Sequence, residues 1–497
     1  MRSLLITALT LCTLGCRPAA SEAPSTTDSD ARWSYEIRVD DALNFMQLGL
    51  CIEGQRPRRL IAGREAIEFV SAARVRGGPA LERDDRSFKL EGLGPHGCVD
   101  LEIDLEQARS SRTRDSGRYG ETMMLAPDRW LWYPSVIPDR LEARARFELP
   151  EGVAATVPWP EIDSADANDP TSWRRLDRSS FGWNAWIAFG HYQPLRFTAA
   201  ECEFEVAVLG GEREFSDAGV EEWLRTAAET SAELYGRVPR DHVAIVVIPT
   251  STRSDAPVAF GMVRRGGGGS VMLIINEKAR DHELPGEWVA IHELLHLGMP
   301  LIKEPWMSEG FVTYYTQVLR ARRGLLKRED QVRAAVEILL AGFDRRPTLR
   351  TLESASASMR QLGGYRRVYW SGAAAAFDLD VTLRSASQNR RSLDDLMRLS
   401  SPLAPERRRF TAAELLSRFD EELARWYQAG ELVREVSASE IIARHLRAKS
   451  IPADVQQLRG IAVDSDSSPV RLLAEPVDQV RIRSALFAPN KEVSRPE

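Results

Sequence analysis

Residues Glu287–Leu319 read EWVAIHELLHLGMPLIKEPWMSEGFVTYYTQVL. The first part holds His292-Glu293-Leu294-Leu295-His296. On a helix, residues four apart share a face, so both imidazoles can reach one cation. Glu293 then stands beside that cation's open position, where its carboxylate can take a proton from water. The chain has seven histidines, and a chance match to this pattern is on the order of one in a hundred.

The bland alternative is a pair of solvated or core histidines on an ordinary amphipathic helix. Two features weigh against it. The helix has a stop, Gly298 and then Pro300. A link from Met299 to Glu304 leads to Pro305, a residue favoured in a helix's first turn. A second helix would begin at Trp306-Met307-Ser308-Glu309-Gly310-Phe311. If it returns antiparallel, Glu309 lies opposite His296. His292, His296 and Glu309 then make a His-His-Glu set suited to one Zn2+ with water in the fourth position. Both helices also keep an apolar face for a core: Trp288, Ile291 and Leu295, then Phe311, Tyr314 and Val318.

Upstream, SDAGVEEWLRTAAETSAELYGRV opens with a Ser-Asp cap and repeats apolar residues at helical spacing. HVAIVVIP is an apolar run of strand length. VAFGMVRR and SVMLIIN flank four glycines, Gly266 to Gly269, and read as a hairpin. An edge strand such as Ser270–Ile275 could pair with an extended peptide, and glycines would let its backbone approach. Candidate substrate-contacting residues are Gly261, Gly268 and Ser270; a mobile surface loop is the equal alternative. Arg264 and Arg265 could meet substrate carboxylates, but read first as a solvated pair. From Leu284 to about Leu446 helices dominate, and VRLLAEP and VDQVRIRSAL near the end give weak strand signals.

From Trp33 to about Val208 short alternating runs recur, among them SYEIRV, QLGLCIE, CVDLEIDL and CEFEVAVL, separated by Gly, Pro and Asp. They predict a β-sandwich-like domain, with the tryptophans between Trp130 and Trp186 serving its packing. The fold class expected is α+β: a β domain at 33–208, a mainly helical catalytic domain with a small sheet at 209–445, and a C-terminal segment at 446–497.

Residues 1–16, MRSLLITALTLCTLGC, have one basic residue, a short apolar run and a small residue before Cys16. That is the pattern of an export signal, too short for the roughly 20 residues that span a bilayer. Residues 17–32 are too poor in apolar bulk to order themselves and read as a tether. Export implies a disulfide-permissive compartment. Cys51, Cys98 and Cys202 leave the pairing open. With 66 basic and 72 acidic residues the formal charge is −6, which argues against nucleic acid as a partner.

The pair HELLH … WMSEGFVTYY resembles the gluzincin metallopeptidases, above all the glycyl aminopeptidase family. Tyr369-Trp370-Ser371-Gly372 and the following AAAAFDLDVTLRS resemble that family's Tyr-x-Lys-Gly helix, with Ser371 in place of Lys. The resemblance implies a thermolysin-like catalytic domain hydrolysing a peptide or protein substrate. His292, His296 and Glu309 would bind zinc, Glu293 would be the general base, and Tyr369 would donate to the developing oxyanion. Around Gly261-Met262-Val263-Arg264 the acid that aminopeptidases use to hold a free amine has no counterpart. An aminopeptidase of the same clan and a non-catalytic surface binding protein are the alternatives. The end of the signal resembles the bacterial lipoprotein type, which implies lipidation at Cys16 and anchoring in the cell envelope, at the periplasm or outer membrane.

Overall fold

A computed structural model describes residues 31–110, 116–162, 172–252, 255–343, 346, 348–406 and 408–487. The signal, Cys16 and nearly all of the tether lie outside them. The fold is mixed α+β, with five sheets and thirteen α-helices among the described residues. No helix among them is long and apolar enough to cross a membrane.

The first half is built on a seven-stranded sheet. In it Ala31–Val39 lies between Phe45–Glu53, antiparallel, and Leu141–Glu148, parallel. Alternation puts Trp33, Tyr35 and Ile37 on one face with Met46, Leu48 and Leu50. A four-stranded and a three-stranded sheet supply further residues to the same core, including Phe189, Met123, Leu60 and Phe88. Trp130, Trp132, Trp159 and Trp186 are fully buried, in keeping with the packing role expected of them. Cys51 and Cys98 sit opposite each other on neighbouring strands and form a disulfide, while Cys202 is free and buried.

The second sheet has five strands in the order Leu195–Ala199, Cys202–Val208, His242–Thr250, Gly269–Asn276 and Val258–Arg264. Two strands expected in the β domain therefore belong to this sheet, and the boundary drawn at 208 falls inside it. The reason is that Cys202–Val208 pairs in parallel with His242–Thr250 across an intervening helix, a partnership that alternation within one strand cannot reveal. That helix, Asp217–Tyr235, is capped by Ser216 accepting from Gly219 N–H at 3.0 Å and closed by left-handed Gly236. Between His242 and Thr250 this strand is apolar, from Val243 to Pro249, because both its faces are covered. Val243, Ile245 and Val247 meet the helices, and Val246 and Ile248 meet Trp186 and Ala188 of the first half.

The two halves are joined by buried polar bonds. Arg174 pairs with Glu205 at 3.0 Å and donates to the Trp159 carbonyl at 3.1 Å. His242 Nε2 donates to the Val157 carbonyl at 3.0 Å. Burial, reinforced by the nearby Arg174 charge, holds His242 down at about 4 from its ordinary 6.5. The unfolded chain takes up a proton near 6.5 and the folded one does not, so stability should fall as pH drops from 6.5 toward 4. Melting temperatures at neutral pH and near 4.5 test this. The wild type should lose more on acidification than His242→Gln, and equal losses would rule the assignment out.

Behind the paired helices of the opening motif lies a buried ionic network. Asp394 pairs with Arg322 at 2.9 Å and accepts from Tyr315 at 3.0 Å. Asp380 pairs with Arg384 at 3.0 Å and accepts from Tyr314 at 2.7 Å. Arg322 also reaches the Leu486 carbonyl at 2.8 Å, tying down the terminal helix Val477–Phe487. That segment, VDQVRIRSALF, was expected to be a weak strand. It is helical, and it buries Ile482 and Leu486, four residues apart, against the main core.

Candidate metal centre

The first motif helix spans Trp288–Gly298 and the second Pro305–Arg322. The six-residue link brings Glu309 back over the histidines. Glu309 Oε2 lies 3.4 Å from His292 Nε2 and 3.3 Å from His296 Nε2. All three potential ligand atoms fall within 4.8 Å of one another. Two imidazole nitrogens and one carboxylate oxygen are the donors a zinc ion prefers when a fourth position stays open. Burial alone would raise the Glu309 carboxyl. His296 and His292 overcome this and hold it well below the usual carboxylate range.

Thr316, one helical turn beyond Val312, fixes the chemistry of His292. Its hydroxyl donates to the Val312 carbonyl at 2.7 Å, and its oxygen lies 3.3 Å from His292 Nδ1. The hydroxyl's one hydrogen is committed, so Thr316 accepts from Nδ1–H, and Nε2 keeps its lone pair for a cation. Sequence reading missed this residue, although its position seven after Glu309 puts it on the same helix face. Thr316→Val should weaken zinc binding about 10- to 100-fold. Competition with a chromogenic chelator measures this, and an unchanged affinity would remove Thr316 from the metal's support.

Glu293 is buried beside the group, and Val263 N–H donates to its Oε2 at 2.9 Å. Burial pushes its carboxyl up to about 7 against the pull of His292. A base poised near neutrality suits proton transfer. Tyr369 comes from the helix Tyr365–Ser387 and stacks nearly parallel to His292, with centroids 6.2 Å apart. Burial and its hydrogen bond to Glu309 push the phenol up, so it stays a donor.

A glycine crossing makes this approach possible. A Cβ on Gly310 would collide with Gly372 Cα, and one on Gly372 would collide with the Trp306 carbonyl. With no side chains between them, the two helices touch backbone to backbone, and Glu309 and Tyr369 meet just beside the crossing. The sequence holds both glycines within its motifs, but nothing in it says that they face each other.

The hairpin differs from expectation. Its edge strand is Val258–Arg264, whereas Gly269–Asn276 is paired on both sides. Ser270 is fully buried, its hydroxyl accepts from Trp186 N–H at 2.9 Å, and its strand partners on both sides close its main chain to a substrate. Gly268 is likewise withdrawn, since a Cβ there would lie 2.5 Å from the Pro158 carbonyl. The glycine tip is neither a mobile loop nor a substrate platform but the place where the hairpin docks on the first half. Gly261 does reach the centre: a Cβ there would lie 2.8 Å from Glu293 Cγ. Trp288 leaves the core face assigned to it. It is 42% exposed, and its ring meets His292 edge-on at 5.6 Å. Arg264 and Arg265 are not a solvated pair either. Arg264 lies over the Trp186 ring at 3.9 Å, and Arg265 donates to the His296 carbonyl.

No family model matches the chain, and no curated protein matches it by sequence. Solved structures share its fold. One is an aminopeptidase N family protein from Idiomarina loihiensis, at TM-score 0.61 and 15% identity, covering 87% of this chain and 78% of that one. Another is an M1 zinc metallopeptidase from Deinococcus radiodurans, at TM-score 0.50 and 13% identity, covering 85% and 94%. At such identities the likeness is one of fold. It reaches the M1 metallopeptidases, while the narrower resemblance to glycyl aminopeptidases rests on the sequence motifs.

Proposed function

We propose that this chain is an exported zinc metallopeptidase that hydrolyses peptide bonds. The observation that carries the reading is the triangle of His292, His296 and Glu309 with the Glu293 carboxylate beside it. These three residues would hold one zinc ion, which when bound supplies an activated water and polarises the scissile carbonyl. Glu293 takes the proton of the attacking water and passes it to the leaving amine. Tyr369 donates its hydroxyl to the oxygen that becomes negative, the kind of preorganised contact that lowers the barrier most.

The substrate is a peptide or protein bound by an internal stretch. Strand Val258–Arg264 runs past Glu293 and carries no carboxylate to hold a free amine. A runner-up, an aminopeptidase, is favoured by the fold shared with an aminopeptidase N family protein. Export and a lipid anchor at Cys16 complete the proposal. The Cys51–Cys98 disulfide supports them, since such bonds persist in oxidising compartments such as the periplasm.

Zinc-loaded protein offered peptide libraries with free and acetylated N-termini tests the reading. Cleavage of both, at internal bonds, is expected. Cleavage of free N-termini alone would turn the reading to the aminopeptidase. If neither is cut while the protein still captures a partner, the surface-binding alternative takes its place.

A further inference from the structure

The glycine tip of the hairpin borders a cavity of about 320 Å3 where the two halves meet. This lies at the lower end of ordinary ligand sites, roughly 300–1,000 Å3. Its lining includes Arg175, Arg240, Arg265, Ser179 and Gly267. Arg240 donates hydrogen bonds to the carbonyls of Pro239 at 2.8 Å and Ala404 at 3.1 Å, with the Asp177 and Asp241 charges nearby. Arg265 is anchored through Nη2 on the His296 carbonyl, and its Nη1 is buried with no partner.

Three acids line the same cavity, each with further partners. Asp177 accepts from Ser179 N–H at 2.7 Å and Ser180 N–H at 3.2 Å. Asp241 pairs with Arg237 at 3.0 Å, and Glu406 with Arg408 at 3.5 Å. The cavity is lined by four arginines, Arg237 among them, against three carboxylates, Asp177, Asp241 and Glu406, and so keeps an excess of cations. Guanidinium forks match the oxygens of a phosphate group in shape and charge.

We propose that this cavity is a binding site for a phosphate-class oxyanion, held between Arg240 and Arg265 with Arg175 at the mouth. It lies apart from the substrate cleft and does not depend on the peptidase reading. Arg265 reaches from the cavity to the His296 carbonyl in the last turn of the metal helix.

Calorimetry and thermal melting of the full chain with inorganic phosphate test it, with potassium chloride at matched ionic strength as control. The wild type should bind phosphate saturably and melt higher, on the order of 2 °C. Arg240→Met should no longer respond to phosphate. Arg175→Ala should bind about tenfold more weakly while melting unchanged in its absence. Phosphoserine as a second probe separates a free ion from a phosphorylated chain, and binding of either upholds the site. Absence of a saturable response to both probes overturns it. So does an undiminished response in Arg240→Met, which would place the anion elsewhere, for instance on the metal.

Discussion

Glu293→Gln is expected to keep its zinc and to lose peptide hydrolysis by about 10²- to 10⁴-fold, the usual contribution of a positioned base. The amide has nearly the size of the carboxylate, so the close fit of Glu293 against Gly261 is retained. Its oxygen can still accept the Val263 N–H, so the edge strand keeps its place. What disappears is the capacity to take a proton. His296→Ala, in contrast, removes one of the three converging donors and should lose the metal along with activity. Metal content by atomic emission and turnover on one peptide, measured for both variants, separate the roles. A Glu293→Gln protein that hydrolyses at the wild-type rate would sink the assignment.

Asp394→Ala should cost about 3–5 kcal/mol of stability, because it leaves buried cations uncompensated. That is a large share of the roughly 5–15 kcal/mol by which domains are stable. Arg322 loses its partner at 2.9 Å, Arg384 loses its second carboxylate at 3.8 Å, and Tyr315 loses its acceptor at 3.0 Å. None of the three can turn to water, since all are nearly fully buried. Urea denaturation against wild type measures the effect. A loss below about 1 kcal/mol, the size of an exposed pair, would mean the network contributes little. Because it clamps the helices that carry Glu309 and Tyr369, the variant should also lose zinc at temperatures where the wild type keeps it.

The local patterns were legible wherever one segment held the whole signal. His292, Glu293 and His296 lie within one helical turn and a half, and Pro305 and Gly298 bracket the link to Glu309, so the two motif helices could be read from spacing. The helix at Asp217–Tyr235 and the hairpin around Gly266 were equally plain. Relations between distant segments were not. Parallel pairing moved Cys202–Val208 into the second sheet. The same nonlocal packing covered both sides of the strand containing Ser270 and drew the glycine tip into the first half. Trp288 defeated the amphipathic reading because it opens the helix, where one face is open to solvent. Nothing local to Asp380, Arg384 or Asp394 signals burial, and only the fold brings them together away from water. Tyr369 could be placed by resemblance but not by physics until the Gly310–Gly372 crossing was seen.

The docking of the glycine tip has a practical consequence. Gly266 and Gly267 slot against Asn184 and Ser179, and Trp186 in turn bonds back to Met262 and Ser270. The halves are thus clasped like a tongue in a socket, and the clasp sits directly behind the edge strand that touches Glu293. Nicking the loop between 209 and 216 with a protease should leave the fragments travelling together. A gene trimmed to the helical half alone should yield aggregate, since it would bare the sheet face that Trp186 covers. Anyone minimising this protein for crystallisation or screening should therefore shorten its ends and leave the clasp whole.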